Sequence, residues 1–165
     1  MTLLTTIVDT PFGDMSLIGT QECLHVASFN ADLDELRDRL APSLRREPIR
    51  RGETSAAAAL RDYFAGDVGA LDEVAVSQPG GPFHTRVWAA MRGVRPGTTV
   101  SYGELAARAG EPRAVRAAGS ACARNAICLF VPCHRIVRRD GGLGGYYYGL
   151  ATKERLLAHE RVTER

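Results

Sequence analysis

Hydrophobic residues first gather in two short runs, Thr5 to Asp9 and Met15 to Ile18, separated by the turn-forming Pro11-Phe12-Gly13-Asp14. Runs of this length bounded by turn formers read as strands, and Leu24 to Phe29, after Gly19 to Glu22, reads as a third. The period then lengthens. Leu33, Leu36 and Leu40 recur at helical spacing, as do Leu60 and Phe64 behind the run Ala56 to Ala59, which predicts two helices with a loop over Ser43 to Thr54 between them. Ser77-Gln78-Pro79-Gly80-Gly81-Pro82 has no periodicity and reads as a linker.

Beyond it the pattern is mostly helical. Phe83, Val87, Trp88 and Met91 mark one helix face ending near Gly93, and Arg95-Pro96-Gly97 makes the turn after it. Ser101 with Glu104 forms a capping box for a helix through Leu105 and Ala109 that stops at Gly110. Pro112 suits the first turn of a second helix running to about Arg124, and the pair reads as a helix-turn-helix. The five apolar residues Ile127 to Val131, closed by Pro132, read as a buried strand that delivers Cys133 and His134 to its exit. In the last helix Lys153, Leu156, Leu157 and Glu160 share one stripe. The fold class predicted is α/β (α+β): a small N-terminal sheet-plus-helices domain over 1–78, a linker over 79–82, and a mainly helical C-terminal domain over 83–165.

Charge divides the chain in the same place. Residues 1–82 carry seven Arg against thirteen Asp or Glu, whereas residues 83–165 carry fourteen Arg or Lys against six acids. The basic half also concentrates its arginines: on the second helix of the pair Arg113, Arg116, Ser120 and Arg124 fall within an arc of roughly 80° at 100° per residue. No acid interrupts that face, while Ala114, Val115, Ala118, Ala121 and Cys122 cover the opposite side. Such a face suits phosphate contacts in a groove. Composition is that of an ordinary globular protein, without a stretch long enough for a membrane span or a secretory leader, so the expected location is cytoplasmic. In a reducing compartment the four cysteines are free thiols.

Cys133 is therefore a candidate nucleophile, and the neighbouring His134 a group that can take its proton. Glu160 places a carboxylate on a buried stripe, and a buried carboxylate needs a partner. Two fit the spacing equally: His134, whose tautomer it would fix, and an arginine in a structural salt bridge.

Over residues 83–165 the chain resembles the O6-alkylguanine-DNA alkyltransferases. The resemblance is carried by Phe83 with Val87-Trp88, Ser101-Tyr102-Gly103-Glu104-Leu105-Ala106, Arg113 to Ala117 with Gly119, Asn125, Val131-Pro132-Cys133-His134-Arg135, Gly145-Tyr146, and Lys153-Glu154 through Leu156-Leu157 to Glu160. Asp9 to Gly13 and Leu24 extend it more loosely into the N-terminal half. It implies direct, single-use, irreversible DNA repair, in which an alkyl group, mainly methyl, moves from a flipped O6-alkylguanine to Cys133. O4-alkylthymine is a further candidate substrate. Under the resemblance His134 is the general base through a water, Glu160 orients it, Asn125 is a hinge, and Tyr102 assists base flipping and donates to the departing guanine. Arg116 replaces the flipped base, and Arg113, Ser120 and Arg124 contact DNA. Cys122, Val131, Ile136, Tyr146, Tyr147, Tyr148 and Lys153 line the substrate pocket. The implied partner is double-stranded DNA bound by a monomer, with cooperative loading as an option, and neither cofactor nor metal is implied.

The chain departs from the family pattern at Ala126 and Cys128, where many members carry prolines, and at Tyr147-Tyr148, where many carry a small residue and glycine. The tyrosines narrow the expected pocket and predict poor reaction with bulky adducts such as O6-benzylguanine. His25 alone sits near a position that holds zinc in some relatives, so no structural metal is expected. A lesion-binding module that accepts no alkyl group, a DNA-binding regulator and a cysteine hydrolase are the competing readings.

Overall fold

The computed structural model describes residues 1–30 and 32–163. The chain divides into two compact units, Met1–Pro79 with Ala126–Phe130, and Gly80–Asn125 with Val131–Arg165.

The first unit is built on a four-stranded sheet of order β3-β2-β1-β4. Strands β1 (Leu3–Thr10) and β2 (Gly13–Gly19) form an antiparallel hairpin closed at Thr10 and Gly13, and the turn is possible because Gly13 adopts φ 104°. Strand β3 (Leu24–Ser28) pairs antiparallel with β2. Helix α1 (Leu33–Arg37) is capped by the Asp32 carboxylate, which accepts from the backbone N–H groups of Asp34 and Glu35. The helix ends before Leu40, yet Leu40 still joins Leu3, Ile18, Val26 and Leu36 in the core. The expected loop over Ser43 to Thr54 contains a further strand, β4 (Ile49–Arg51), parallel to the start of β1. It is three residues long and two of them are exposed arginines, so it carries no alternation to read. Helix α2 (Ser55–Phe64) packs on β1, with Ala57, Leu60 and Tyr63 fully buried.

In the second unit, helix α3 (Pro82–Arg92) buries Val87, Trp88 and Met91 and is capped at Gly93, close to the expected end. Trp88 Nε1 donates to Ala121 O at 2.9 Å, which fastens α3 to helix α5 (Val115–Ala123). A two-residue strand β5 (Val100–Ser101) leads into helix α4 (Tyr102–Arg108), where the Ser101 hydroxyl accepts from the Glu104 N–H as the capping box requires. Strand β5 pairs in parallel with β6 (Ile136–Val137), and helix α6 (Leu150–Thr163) follows.

Two expectations need correction. Helix α5 begins at Val115 and not at Pro112: Pro112 and Arg113 lie in a turn, Arg124 is the residue after the last helical one, and Val115 is 42 % exposed instead of packed. Nor is Ile127 to Val131 a continuous strand. Ile127 makes an isolated parallel bridge to Ala27, fixed by Ala27 N–H to Ala126 O at 3.0 Å and Cys128 N–H to Ala27 O at 2.9 Å. The chain then turns sharply at Leu129, the one non-glycine among the described residues at positive φ, 71°. The run is apolar because it is buried on all sides, and burial, unlike alternation, does not tell a strand from a bend.

Candidate active site

Cys133 is presented by two successive tight turns. Phe130 N–H donates to Cys128 O at 2.9 Å around Leu129, an i to i+2 bond which at φ 71° is the rarer, strained form of the γ-turn. Cys133 N–H donates to Val131 O at 2.9 Å around Pro132, whose φ −83° and ψ 68° give the relaxed, inverse form. A 3-10 turn, Cys133–Arg135, starts there. Asn125 Nδ2 donates to the same Val131 O at 2.7 Å, and the buried Asn125 side chain also hydrogen-bonds the Cys133 sulfur. It thus joins the end of α5 to the turn that carries the cysteine. Holding Leu129 in its conformation costs on the order of 1–3 kcal/mol, a cost tolerated where neighbouring contacts fix the backbone.

His134 is fully buried, and its Nε2 lies 2.9 Å from Glu160 Oε2. Arg135 Nε and Nη2 donate to Oε1 and Oε2 of the same carboxylate at 3.0 and 2.8 Å. Both partners the spacing of Glu160 allowed are therefore present at once. Burial pushes the Glu160 carboxyl up, but His134 and Arg135 outweigh it and hold the group well below the usual carboxylate range. Burial pushes the His134 imidazole down, and Glu160 restores only part of that. His134 Nδ1 is buried with no hydrogen-bond partner.

The half-buried Cys133 thiol is also pushed up by burial, while the Asn125 hydrogen bond and the Lys153 ammonium pull it back. Lys153, on α6, is fully buried. Its Nζ donates to Ile136 O at 2.6 Å, to Leu143 O and to Gly145 O at 3.2 Å, using all three N–H bonds on backbone carbonyls. It thereby ties the residue after the cysteine turn to the glycine-rich loop. Tyr102, the first residue of α4, interacts electrostatically with Cys122 and Cys133, and Lys153 does the same. Burial pushes the Tyr102 hydroxyl up to about 12, so it keeps its proton at neutral pH. The loop approaches this hydroxyl closely: a Cβ on Gly144, at φ 73°, would stand 3.0 Å from Tyr102 Oη. Burial likewise pushes the Cys122 thiol up.

Of the remaining sequence candidates, Val131 and Ile136 are buried and contribute carbonyls to the Asn125 and Lys153 bonds just described. Tyr146, Tyr147 and Tyr148 form an aromatic group of their own, Tyr148 meeting the other two edge-on at 5.7 and 4.9 Å between centroids, with Tyr147 64 % exposed. Arg113, Arg116 and Arg124 are exposed and Ser120 half-buried around α5. Sequence reasoning assigned no role to Arg135, and placed Gly144 only within the pocket-wall segment Leu143 to Tyr148. Arg135 had a signal, since it follows His134 directly and an arginine was one of the two partners the Glu160 stripe allowed; the close approach of Gly144 to Tyr102 had none, because the two are distant in sequence. Among the described residues no group of three or more His, Cys, Asp or Glu could hold a metal ion, and no helix is long and apolar enough to cross a membrane.

The stretch that carries Cys133, His134 and Glu160 falls within the range that known proteins match. The family model for the DNA-binding domain of 6-O-methylguanine DNA methyltransferase matches residues 82–162. A methylated-DNA–protein-cysteine methyltransferase of Salmonella typhimurium is 46 % identical over 101 residues, 61 % of this chain; the match spans 59 % of that protein's length. Its namesake in Mycolicibacterium paratuberculosis is 37 % identical over 93 % of this chain and 90 % of its own. The crystal structure of Mycobacterium tuberculosis OGT in complex with DNA superposes with a TM-score of 0.73 and 28 % identity, covering 99 % of this chain and 94 % of that one. The chain belongs to the methylated-DNA–protein-cysteine methyltransferase family.

Proposed function

We propose that this protein repairs alkylated DNA by moving an alkyl group, mainly methyl, from the O6 of guanine to the sulfur of Cys133. The observation that carries the reading is the His134 ring: Nε2 is committed to Glu160, whereas Nδ1 is buried with no partner. A ring held in that way has one nitrogen left to take a proton. The Cys133 proton passes to it through a water, the sulfur attacks the alkyl carbon, and the S–C bond forms as the C–O6 bond breaks. Lys153 and the Asn125 hydrogen bond favour the thiolate on the way. The guanine leaves with the electron pair of the broken bond, and the Tyr102 hydroxyl, which keeps its proton, is suited to donate to it.

Arg116 on α5, with Arg113 and Arg124 just outside its two ends, supplies the other half of the reading. Here α4 and α5 act as a helix-turn-helix on double-stranded DNA, with Arg113, Ser120 and Arg124 on phosphates and Arg116 filling the gap left by the flipped base. Extrusion costs a few kcal/mol, which a base-replacing side chain and a pocket offset. Cys122, Val131, Ile136, Tyr146, Tyr147, Tyr148 and Lys153 line that pocket, Asn125 is the hinge beside it, and residues 1–78 form a supporting domain. A thioether on Cys133 has no good leaving group, so each molecule acts once, as a cytoplasmic monomer. Incubation with duplex DNA carrying labelled O6-methylguanine tests this: one methyl group is expected on Cys133 by peptide mass mapping, with the thiol consumed stoichiometrically. Transfer that persists in Cys133→Ser, or release of product with the thiol regenerated, overturns it.

A further inference from the structure

Arg135 holds the carboxylate that in turn holds the candidate base, yet it has no role in the chemistry above. It is 3 % exposed. Two of its nitrogens take both oxygens of Glu160, and the third, Nη1, donates to Val94 O at 2.7 Å, just past the end of α3. His134 Nε2 shares only Oε2. One carboxylate thus serves three nitrogen donors, two of them on the guanidinium.

This sharing has chemical consequences. A guanidinium does not give up its charge in a protein, so Glu160 is a fixed anion and can only accept from His134. The proton of the neutral ring therefore sits on Nε2 and the lone pair on the unpartnered Nδ1. A carboxylate facing the ring alone would do something else: an opposite charge at this distance raises an imidazole's affinity for protons by one to three pKa units, and the lone pair would be lost to a solvent proton. The charged groups facing His134 are Glu160 and Lys153 from α6 and Arg135 from its own turn, with the Cys133 thiol adjacent in the chain. Burial above all favours the neutral ring; Glu160 opposes it, and the Arg135 and Lys153 charges offset part of that opposition.

We propose that Arg135 is a positioning residue for alkyl transfer: it divides the Glu160 carboxylate with His134 and so keeps the imidazole in its Nε2–H form with a free lone pair at Nδ1. This rests on the reading of Cys133 as alkyl acceptor and His134 as its base. The thiol proton moves to Nδ1 as the S–C bond forms, the imidazolium leans on Oε2, and the ring returns to neutral by losing that proton to water. Without Arg135 the ring keeps its proton to higher pH, and the base is lost over a wider acid range.

Two variants and two readouts test it. Arg135→Gln keeps a hydrogen-bond donor for Glu160 and removes the charge, whereas Arg135→Lys keeps the charge and removes the fork. The readouts are the titration of the His134 ring by nitrogen NMR in the protein alone, and the pH profile of methyl transfer from methylated duplex. The native ring is expected as the Nε2–H tautomer. Arg135→Gln should raise both the ring titration and the acid limb of the transfer rate by about one pH unit, and Arg135→Lys should restore most of that shift. An Nδ1–H tautomer in the native protein overturns the proposal, as does an Arg135→Gln profile whose plateau falls while its acid limb stays in place. The tautomer measurement needs no variant, so an unfolded Arg135→Gln leaves the proposal open to refutation. Native protein that takes no methyl on Cys133 would instead sink the alkyl-acceptor reading, and the ring titration would still decide what Arg135 does to His134.

Discussion

The two units bury different things. In the first, the buried polar residues are Thr10, Ser16, Ser28 and Thr54, all small hydroxyls; in the second they are Asn125, His134, Arg135, Lys153 and Glu160. Every buried charge among the described residues therefore lies in the unit that carries Cys133. Desolvating an ion costs several kcal/mol, and a buried ion pair is commonly no more stabilising than apolar residues of the same volume. Only the second unit carries that cost. The difference teaches that the second unit's interior is arranged for proton and charge management around a sulfur.

The largest expected effect separates stability from chemistry. Leu60→Ala empties a fully buried site in the first unit and should cost about 2–5 kcal/mol by the cavity it leaves. Glu160→Ala strands Arg135 and His134 without their carboxylate and should cost about 3–5 kcal/mol. Urea unfolding should thus rank the two variants alike. Transfer per folded molecule should part them: within a few-fold of native for Leu60→Ala, and lower by about a hundredfold or more for Glu160→Ala, the usual worth of a positioned base. If both variants lose transfer in proportion to stability, the contrast between the units is only one of composition.

Acid should distinguish the units next. The His134 imidazole is held below its ordinary 6.5, so as pH falls the unfolded chain binds its proton first; the stability linked to His134 is present above about 6.5 and lost below it. Glu160 is held below its ordinary 4.5, so its contribution is present above about 4.5 and lost as pH falls further. Each pKa unit of displacement is worth about 1.4 kcal/mol. In the first unit the corresponding carboxyl is Glu53, held down by Arg61, but it is exposed and screened by solvent. Trp88, the single tryptophan, reports the second unit by fluorescence, and amide exchange along α2 reports the first. Stability read at Trp88 should fall in two stages, the first setting in below about pH 6.5 and the second below about 4.5, while protection along α2 stays nearly level. A parallel decline at both places counts against the contrast.

How much of this was legible in the sequence follows from the same physics. Helices α2 and α3 were readable because one face of each meets water, which imposes a period, and the hairpin strands because turn formers bound them, although β2 is buried on both faces from Met15 to Gly19. Strand β4 was not, because Ile49-Arg50-Arg51 is too short to have one. The run Ile127 to Val131 misled for the opposite reason: with every residue buried, apolar character says nothing about the bend at Leu129. At the site, Glu160 could be flagged as a carboxylate in need of a partner, because an acid on an apolar stripe is anomalous wherever it points. That it holds Arg135 and His134 together depends on which atoms of three side chains converge, and spacing along a helix carries no such information. Lys153 lay on the same stripe, but the three carbonyls that satisfy it come from Ile136, Leu143 and Gly145, a convergence only the folded loop creates.

The smallest expected effect is the most discriminating, because it compares two like parts. Asp32 caps α1 in the first unit by accepting from Asp34 N–H at 3.1 Å and Glu35 N–H at 3.3 Å, and Ser101 caps α4 in the second by accepting from Glu104 N–H at 3.1 Å. Replacing either cap by alanine should cost about 1 kcal/mol, a shift of a few degrees in melting temperature. The helices they start are not alike in what they carry. The residue after Asp32 is Leu33, at the surface, whereas the residue after Ser101 is Tyr102, whose hydroxyl lies against Gly144 and interacts with Cys133. Loosening the first turn of α4 therefore moves a side chain of the site, and loosening that of α1 moves none. At equal loss of stability, Ser101→Ala should slow methyl transfer several-fold and Asp32→Ala should leave it unchanged. Equal rates in the two variants would mean that Tyr102 is held by its contact with the loop and not by its place at the head of the helix.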